Sequence, residues 1–323
     1  WTGNGSARSI TLDGNSDLQP DMVWLKQRSG TENHNLYDSV RGAGVRLIPN
    51  LANSESTTNE LTAFNSNGFS LADGDEVNAS SSTYVAWSWK GGTTGSGTTN
   101  GSKAYSYSAS PDAGFSVVTY TGNATAGHLI PHGMGKVPRL IHVKSRADDN
   151  GWTSGTIVSA SAWNDHGYLY LANAFGTDAN QFGATPDSTN IRLGTGTGTN
   201  GNNGTRVAYC FADVQGYQKI GKYVGNGNAD GSFIYTGFKP AFLIVKRTDS
   251  AQNWMLFDNK RDPDNVVREF LEANTSDAEN SNPFLDFLSN GFKLKDGNAD
   301  VNASGANYLF HAIAENPFVT SSG

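Results

Sequence analysis

Two loops of this 323-residue chain carry oxygen-bearing side chains at alternate positions. Asp73, Asp75 and Glu76 precede Val77-Asn78, and Asp296, Asn298 and Asp300 precede Val301-Asn302. Calcium takes many oxygen ligands, and such spacing can supply them. The spacing is not that of an EF-hand, however, and Asx side chains bonding their own turns account for the same residues. No cofactor is expected; Asp73, Asp75, Asp296 and Asp300 are the candidates should calcium bind. The histidines do not recur at fixed spacing. His128 and His132 could meet in one turn, but no third ligand lies nearby. Gly196, Gly198 and Gly201 fit a dinucleotide-binding string, which must follow a strand and open a helix. Asn202-Asn203-Gly204 and a further strand follow instead, so a glycine-rich hairpin is expected there.

Asp38 with Arg41, and Asp258 with Arg261, stand three residues apart. A salt bridge pinning a loop is the plainer reading, and a polar pair presented to a ligand is the alternative. Stacking on a sugar needs exposed rings. Trp87 and Trp89 alternate on a strand and should fill a core. Trp152 and Trp254 begin strands after loops, and Trp163, in Ser161-Ala162-Trp163-Asn164-Asp165-His166, ranks as the most exposed tryptophan. The core is still the plainer place for each ring. The ligand-binding candidates are therefore Trp163, Trp152, Trp254, Asp38, Arg41, Asp258 and Arg261. A glycosidase needs two carboxylates flanking a sugar, and nothing singles out such a pair. The motifs of zinc proteases, phosphate loops and serine hydrolases are absent. A non-enzymatic role is expected.

These residues must be positioned by short strands. Apolar runs of a few residues alternate with Gly, Asn and Asp clusters, which is a strand rhythm. The best helical candidate is Asn265–Glu272, after Pro263. The chain has 38 Gly, 16 Phe, 12 Tyr and 7 Trp with 16% charged residues, a composition of many turns around aromatic cores. A net charge of −7 argues against nucleic acid, which is held by clustered Lys and Arg. No apolar run is long enough to cross a bilayer as a helix, so no membrane insertion is expected. The single cysteine, Cys210, sits in an apolar strand and reads as a small buried hydrophobe.

The strongest signal is an internal repeat. Trp1-Thr2-Gly3-Asn4-Gly5, Tyr120-Thr121-Gly122-Asn123 and Tyr223-Val224-Gly225-Asn226-Gly227 open three copies. Each continues with a proline-led strand ending in lysine (Pro20 to Lys26, Pro138 to Lys144, Pro240 to Lys246). Each closes with an asparagine and a strand (Asn78 to Tyr84, Asn200 to Arg206, Asn302 to Tyr308). Units of about 100 residues are independent domains rather than solenoid turns. The expected architecture is all-β, with three tandem β-sandwiches in a row. Their bounds are 1–91, 114–215 and 216–323, with a flexible Gly/Ser/Thr-rich linker over 92–113 and a tighter joint between the second and third.

Trp1 to Gly5, Val23 to Arg28, Leu36 to Gly42, Ser66 to Phe69 and Ala314 to Phe318 together resemble a repeat family of virion and tail-fibre proteins in tailed, often marine, phages. That resemblance spans nearly the whole chain. It implies repeats that follow a lectin-like SPRY-type domain in a large fibre protein, and it supplies no catalytic residues. It implies a virion-surface location, with other virion proteins and a host-surface glycan or receptor as partners. Homotrimerisation follows only by analogy with phage fibres. A scaffold element that binds no host ligand, a capsule-degrading spike and a bacterial adhesin are the rival readings.

Overall fold

The computed structural model describes residues 1–14, 16–156 and 163–317. The chain is an all-β sandwich protein, and its only helices among those residues are single turns, Asp75–Asn78 and Thr197–Asn200. The lysine-terminated runs form central strands: Met22–Gln27, Leu140–Ser145 and Pro240–Arg247. Each pairs antiparallel with the strand after it (Asn35–Asp38, Thr153–Thr156, Trp254–Asp258) and with the closing strand of its copy (Tyr84–Trp89, Thr205–Phe211, Asn307–Ala314). Opening strands Phe115–Thr121 and Gln218–Val224 complete this sheet in the second and third copies.

Both faces of these strands are buried, which explains runs such as Met22-Val23-Trp24-Leu25. Val23, Leu25 and Tyr37 pack on Leu61, Phe69 and Leu71 of the first copy's outer sheet. Trp24, Leu36 and Trp87 point the other way, into a cluster shared with Leu140, Trp152 and Tyr209 of the second copy and Ile244, Trp254 and Leu256 of the third. The copies are thus not strung in a row; they meet around one common core.

The copies also close into a ring. His34, Trp152 and Trp254 occupy the same position, at the start of the strand that follows the lysine. Trp24 donates its indole N–H to His34 Nδ1 (2.9 Å), so Nε2 carries the proton and donates to the Glu272 carbonyl of copy three (3.0 Å). Trp152 donates to Ile48 O of copy one (2.9 Å), and Trp254 to Tyr168 O of copy two (3.0 Å). A second set runs the opposite way around. The backbone N–H groups of Glu279, Glu55 and Phe175 donate to the carbonyls of Arg28, Arg146 and Thr248 at 2.8, 2.9 and 2.9 Å. Every copy touches both others by the same bonds.

Within each copy a buried asparagine ties the opening segment to the turn before the closing strand. Asn78, Asn200 and Asn302 are all fully buried. Asn302 Oδ1 accepts from Asn226 N (2.9 Å), and its Nδ2 donates to Asn226 Oδ1, Asn228 O and Asp296 O (3.0, 2.9 and 2.9 Å). Asn78 and Asn200 make the same four contacts. The glycine before the opening asparagine is obligatory. A Cβ on Gly3, Gly122 or Gly225 would stand 2.1, 2.3 or 2.3 Å from the carbonyl oxygen of Ala79, Gly201 or Ala303.

Three sequence expectations change. Residues 92–113 are not a linker: Thr93–Thr98 and Ala104–Ser110 form a hairpin on the edge of the second copy's sheet. Its glycines serve packing, because Gly95 and Gly97 lie opposite Tyr107 and Tyr105 and leave room for those rings. Residues 267–272 are a strand, not a helix; Phe270 and Leu271 are buried against sheet partners there, and tertiary pairing overrides local pattern. The Gly196–Gly201 segment is one helical turn rather than a hairpin. Arg206, 1% exposed, lies across Gly201 and Gly204 and donates to Thr197 O (2.7 Å). It stands where Tyr84 and Tyr308 reach the carbonyls of Asp75 and Ala299.

Two measurements check this architecture. Asn302→Ala orphans one buried N–H and two backbone carbonyls, so it should destabilise the chain by about 2–4 kcal/mol; urea unfolding reads the loss. The buried imidazoles give a pH signature. Burial holds His34, His142 and His311 at about 3, far below the free value. The unfolded chain takes up their protons near pH 6.5 and the folded chain does not. Stability should therefore fall as pH drops from 7 towards 4, with these three imidazoles alone contributing a slope approaching three protons. A flat profile across that range contradicts the placement.

Candidate functional site

The ligand-binding candidates picked from sequence all sit away from solvent. Trp152, Trp163 and Trp254 are at most 1% exposed. Trp163, ranked as the most exposed ring, instead packs edge-on against Phe182 in the second copy's core. Ser161 and Ala162 beside it lie outside the described residues. The Asp–Arg pairs are interface pins. Arg41 Nε bonds Asp38 Oδ2 and its backbone N–H bonds Asp38 Oδ1, and Tyr209 of copy two donates to the same carboxylate (2.7 Å). Asp258 and Arg261 repeat the geometry, with Trp87 Nε1 of copy one donating to Asp258 Oδ2 (3.1 Å) and Arg261 stacked over the Trp87 ring. The middle copy carries Thr156 where the aspartate stands, bonded to Arg139 O. These residues hold the copies together and present nothing to a ligand.

Among the calcium candidates, Asp296 bonds its own loop. Asp296 accepts from Asn298 N and Asn282 Nδ2, and Asn298 accepts from Asp300 N. Burial raises the Asp300 carboxyl above its ordinary value, which disfavours the charged form a metal needs. Asp73 and Asp75 are exposed. His128 bonds Asn200 and Thr99, whereas His132 bonds Asp187 O. Among the described residues no group of three or more His, Cys, Asp or Glu converges on one point.

The surface feature that stands out was missed in the sequence. Phe233 and Tyr235 are 46% and 59% exposed, on alternate positions of the edge strand Phe233–Tyr235. Ile234 between them turns inward to the core. The two rings border a groove of roughly 470 Å³ at the joint between copies two and three. Its polar lining is Arg139, Asp213, Lys219 and Lys222, three cations to one anion. Lys219 Nζ lies 5.8 Å from the Tyr235 ring centre, and Arg139 pairs loosely with Asp213 at 3.7 Å. Gly221 lines the same groove, and its missing side chain leaves space for the Phe310 ring beneath.

The other copies fold without such rings. Gly68 and Gly291 pack against the carbonyls of Ile10 and Ile234 in the same way, which places Ser9 and Thr11 where Phe233 and Tyr235 stand. The strand pairing of Ile130 with Ile191 places Leu129 and Pro131 there in copy two. An aromatic pair confined to one copy of three was therefore visible in the sequence as a departure from the repeat.

An all-β sandwich module with an aromatic-bordered, cation-lined surface groove is the class this geometry defines. Residues 1–317 match a family described as a domain of unknown function (DUF7483), and the chain belongs to it. Among curated proteins and among solved structures nothing matches the chain.

Removing an interface pin should act on stability, not on surface binding. Asp258→Ala leaves Arg261 with Glu279 as its remaining carboxylate partner (3.0 Å) and Trp87 without its acceptor, at an expected cost of about 2–3 kcal/mol. A stable variant that has lost only ligand binding would return these residues to the list of ligand groups.

Proposed function

We propose that the chain is a non-enzymatic recognition and spacer module of a phage virion appendage, which holds an acidic host-surface glycan in the groove beside Phe233 and Tyr235. The observation that carries the binding role is the exposed ring pair itself. Flat rings match the apolar faces of pyranose sugars, and exposing them to water without a partner is unfavourable. Two copies of the same unit fold with Ser9 and Thr11 or Leu129 and Pro131 in their place, so the rings are not a requirement of the sandwich. Lys219, Lys222 and Arg139 give the groove a positive lining on a chain of net charge −7, which favours sugars bearing carboxylates. A rigid three-lobed body suits a spacer between other virion proteins and the host surface. A shallow groove of this kind binds weakly, and repetition on a particle supplies the avidity. The virion setting rests on the phage-repeat resemblance alone.

The test is to exchange the rings for the residues copy one uses. Phe233→Ser with Tyr235→Thr should reduce binding to acidic polysaccharides by about tenfold or more, read on a glycan array and by titration. Thermal stability should be unchanged. Retained binding by the double variant, or no binding by the parent chain to any acidic or neutral glycan, contradicts the reading.

A further inference from the structure

Copy two carries, as part of its own chain, rings in the place that copy three leaves as a groove. Its extra hairpin lays Ala104–Ser110 beside the opening strand Phe115–Thr121, and two tyrosines of that strand pack on the core of the copy. The Tyr105 and Tyr107 rings are nearly parallel, with centres 6.3 Å apart. Tyr107 lies against Gly133, where a Cβ would stand 2.2 Å from the ring. Tyr105 faces Tyr120 across the ladder.

Copy three keeps these seats and lacks the rings. Gly237 is the counterpart of Gly133: both backbones are left-handed, at φ +89° and +72°. Thr236 N donates to Asn290 O (3.0 Å) as His132 N donates to Thr189 O (3.0 Å). Tyr223 is the counterpart of Tyr120, and their hydroxyls donate to the carbonyls of Val301 and Thr199. No hairpin intervenes here. The chain turns between Val214 and Gln218 straight into Gln218–Val224, which is the outermost strand of its sheet. A Cβ on Gly237 would meet nothing nearer than the Tyr235 hydroxyl at 3.5 Å. The space beside Gly237 is a second groove of roughly 300 Å³, and it shares Asp213, Lys219 and Tyr235 with the first. The Tyr235 ring therefore stands between two adjoining troughs.

Their linings differ. Arg139 and Lys222 belong to the first trough alone, whereas Gln215, Thr236 and Gly237 belong to the second. Beyond the shared Lys219 and Asp213, the second carries no charge. We propose that the site takes two consecutive sugars of one chain, an acidic sugar beside Phe233 and a neutral sugar beside Gly237, so that its ligand is a polysaccharide in which acidic and neutral residues alternate. This rests on the glycan reading of the first groove and extends it. In copy two the Tyr107 ring fills the equivalent of the second seat, and a pyranose is also a six-membered ring. A carboxylate is favoured where cations outnumber anions, which holds in the first trough, at three to one, and not in the second, at one to one. A peptide strand suits the place less well. Asp213 Oδ1 already accepts from Ile220 N (2.8 Å) on the open edge, and lysines such as Lys219 and Lys222 keep strand edges from pairing.

The probes are hyaluronan oligosaccharides, in which glucuronate alternates with neutral N-acetylglucosamine, and oligogalacturonate, in which every sugar is acidic. Binding to the whole chain is followed by titration. The hyaluronan tetrasaccharide should bind about tenfold or more tighter than glucuronic acid alone, and about fivefold tighter than the galacturonate tetrasaccharide. Gln215 is exposed, so Gln215→Arg leaves the fold intact, adds a cation to the second trough, and should reverse the preference between the two tetrasaccharides. Four outcomes overturn the proposal: equal affinity for glucuronic acid and the hyaluronan tetrasaccharide, a preference of the parent chain for galacturonate, a preference that Gln215→Arg does not move, or no binding of any probe. The groove reading fails differently, by binding that survives Phe233→Ser with Tyr235→Thr. Binding that the double variant abolishes, but that does not depend on chain length, contradicts the second seat alone.

Discussion

Closure is the constraint on which the rest of the structure depends. Three repeat copies that share one apolar centre must each present a second buried face, and that face is stable only if the two neighbours cover it. The ring N–H groups of His34, Trp152 and Trp254 each reach a carbonyl of a different copy. The reciprocal backbone bonds from Glu279, Glu55 and Phe175 run the opposite way. A copy removed from this arrangement would expose residues such as Trp24, Leu36 and Trp87 to water, and burying large aromatic surfaces is the dominant favourable term for such residues. Bonds across every seam and one shared core tie the three copies together.

The same constraint explains where polar chemistry does and does not occur. Asp38–Arg41 and Asp258–Arg261 carry the residue types of a binding site, yet their charges are spent across seams between copies, on Tyr209 and Trp87. The histidines follow suit: His34, His142 and His311 line the centre and are held neutral by burial. Lys26, Lys144 and Lys246 are buried at the ends of their strands, donate to the loop carbonyls of Gly30, Asn150 and Gln252, and are lowered to about 8 by desolvation. What remains for recognition is the rim, where the copies differ from one another. Phe233 and Tyr235 lie on that rim.

Much of the architecture was legible in the sequence. The strand rhythm, the recurring Gly-Asn openings and the lysine-ended runs each correspond to a tripled element of the fold, because each satisfies a local rule: a close backbone approach at Gly3, a buried amide at Asn78, a capped loop at Lys26. The arrangement of the copies was not legible. Nothing local separates a strand buried on both faces of a ring from one buried in an isolated sandwich, and the Gly/Ser/Thr run of 92–101 has a linker's composition while its glycines accommodate tyrosines across a hairpin. The candidate site was missed for a related reason. Sequence reasoning ranks tryptophan as the stacking residue, but Trp87, Trp152 and Trp254 donate their N–H groups across seams between copies, and the exposed rings are a Phe and a Tyr on an edge strand.

Calorimetry of the whole chain tests the closed ring most directly. If the three copies share one core and seal one another, heating should give a single transition whose calorimetric and van't Hoff enthalpies agree. Separate transitions for the copies, or a van't Hoff enthalpy about a third of the calorimetric one, would mean independent sandwiches and would contradict the account.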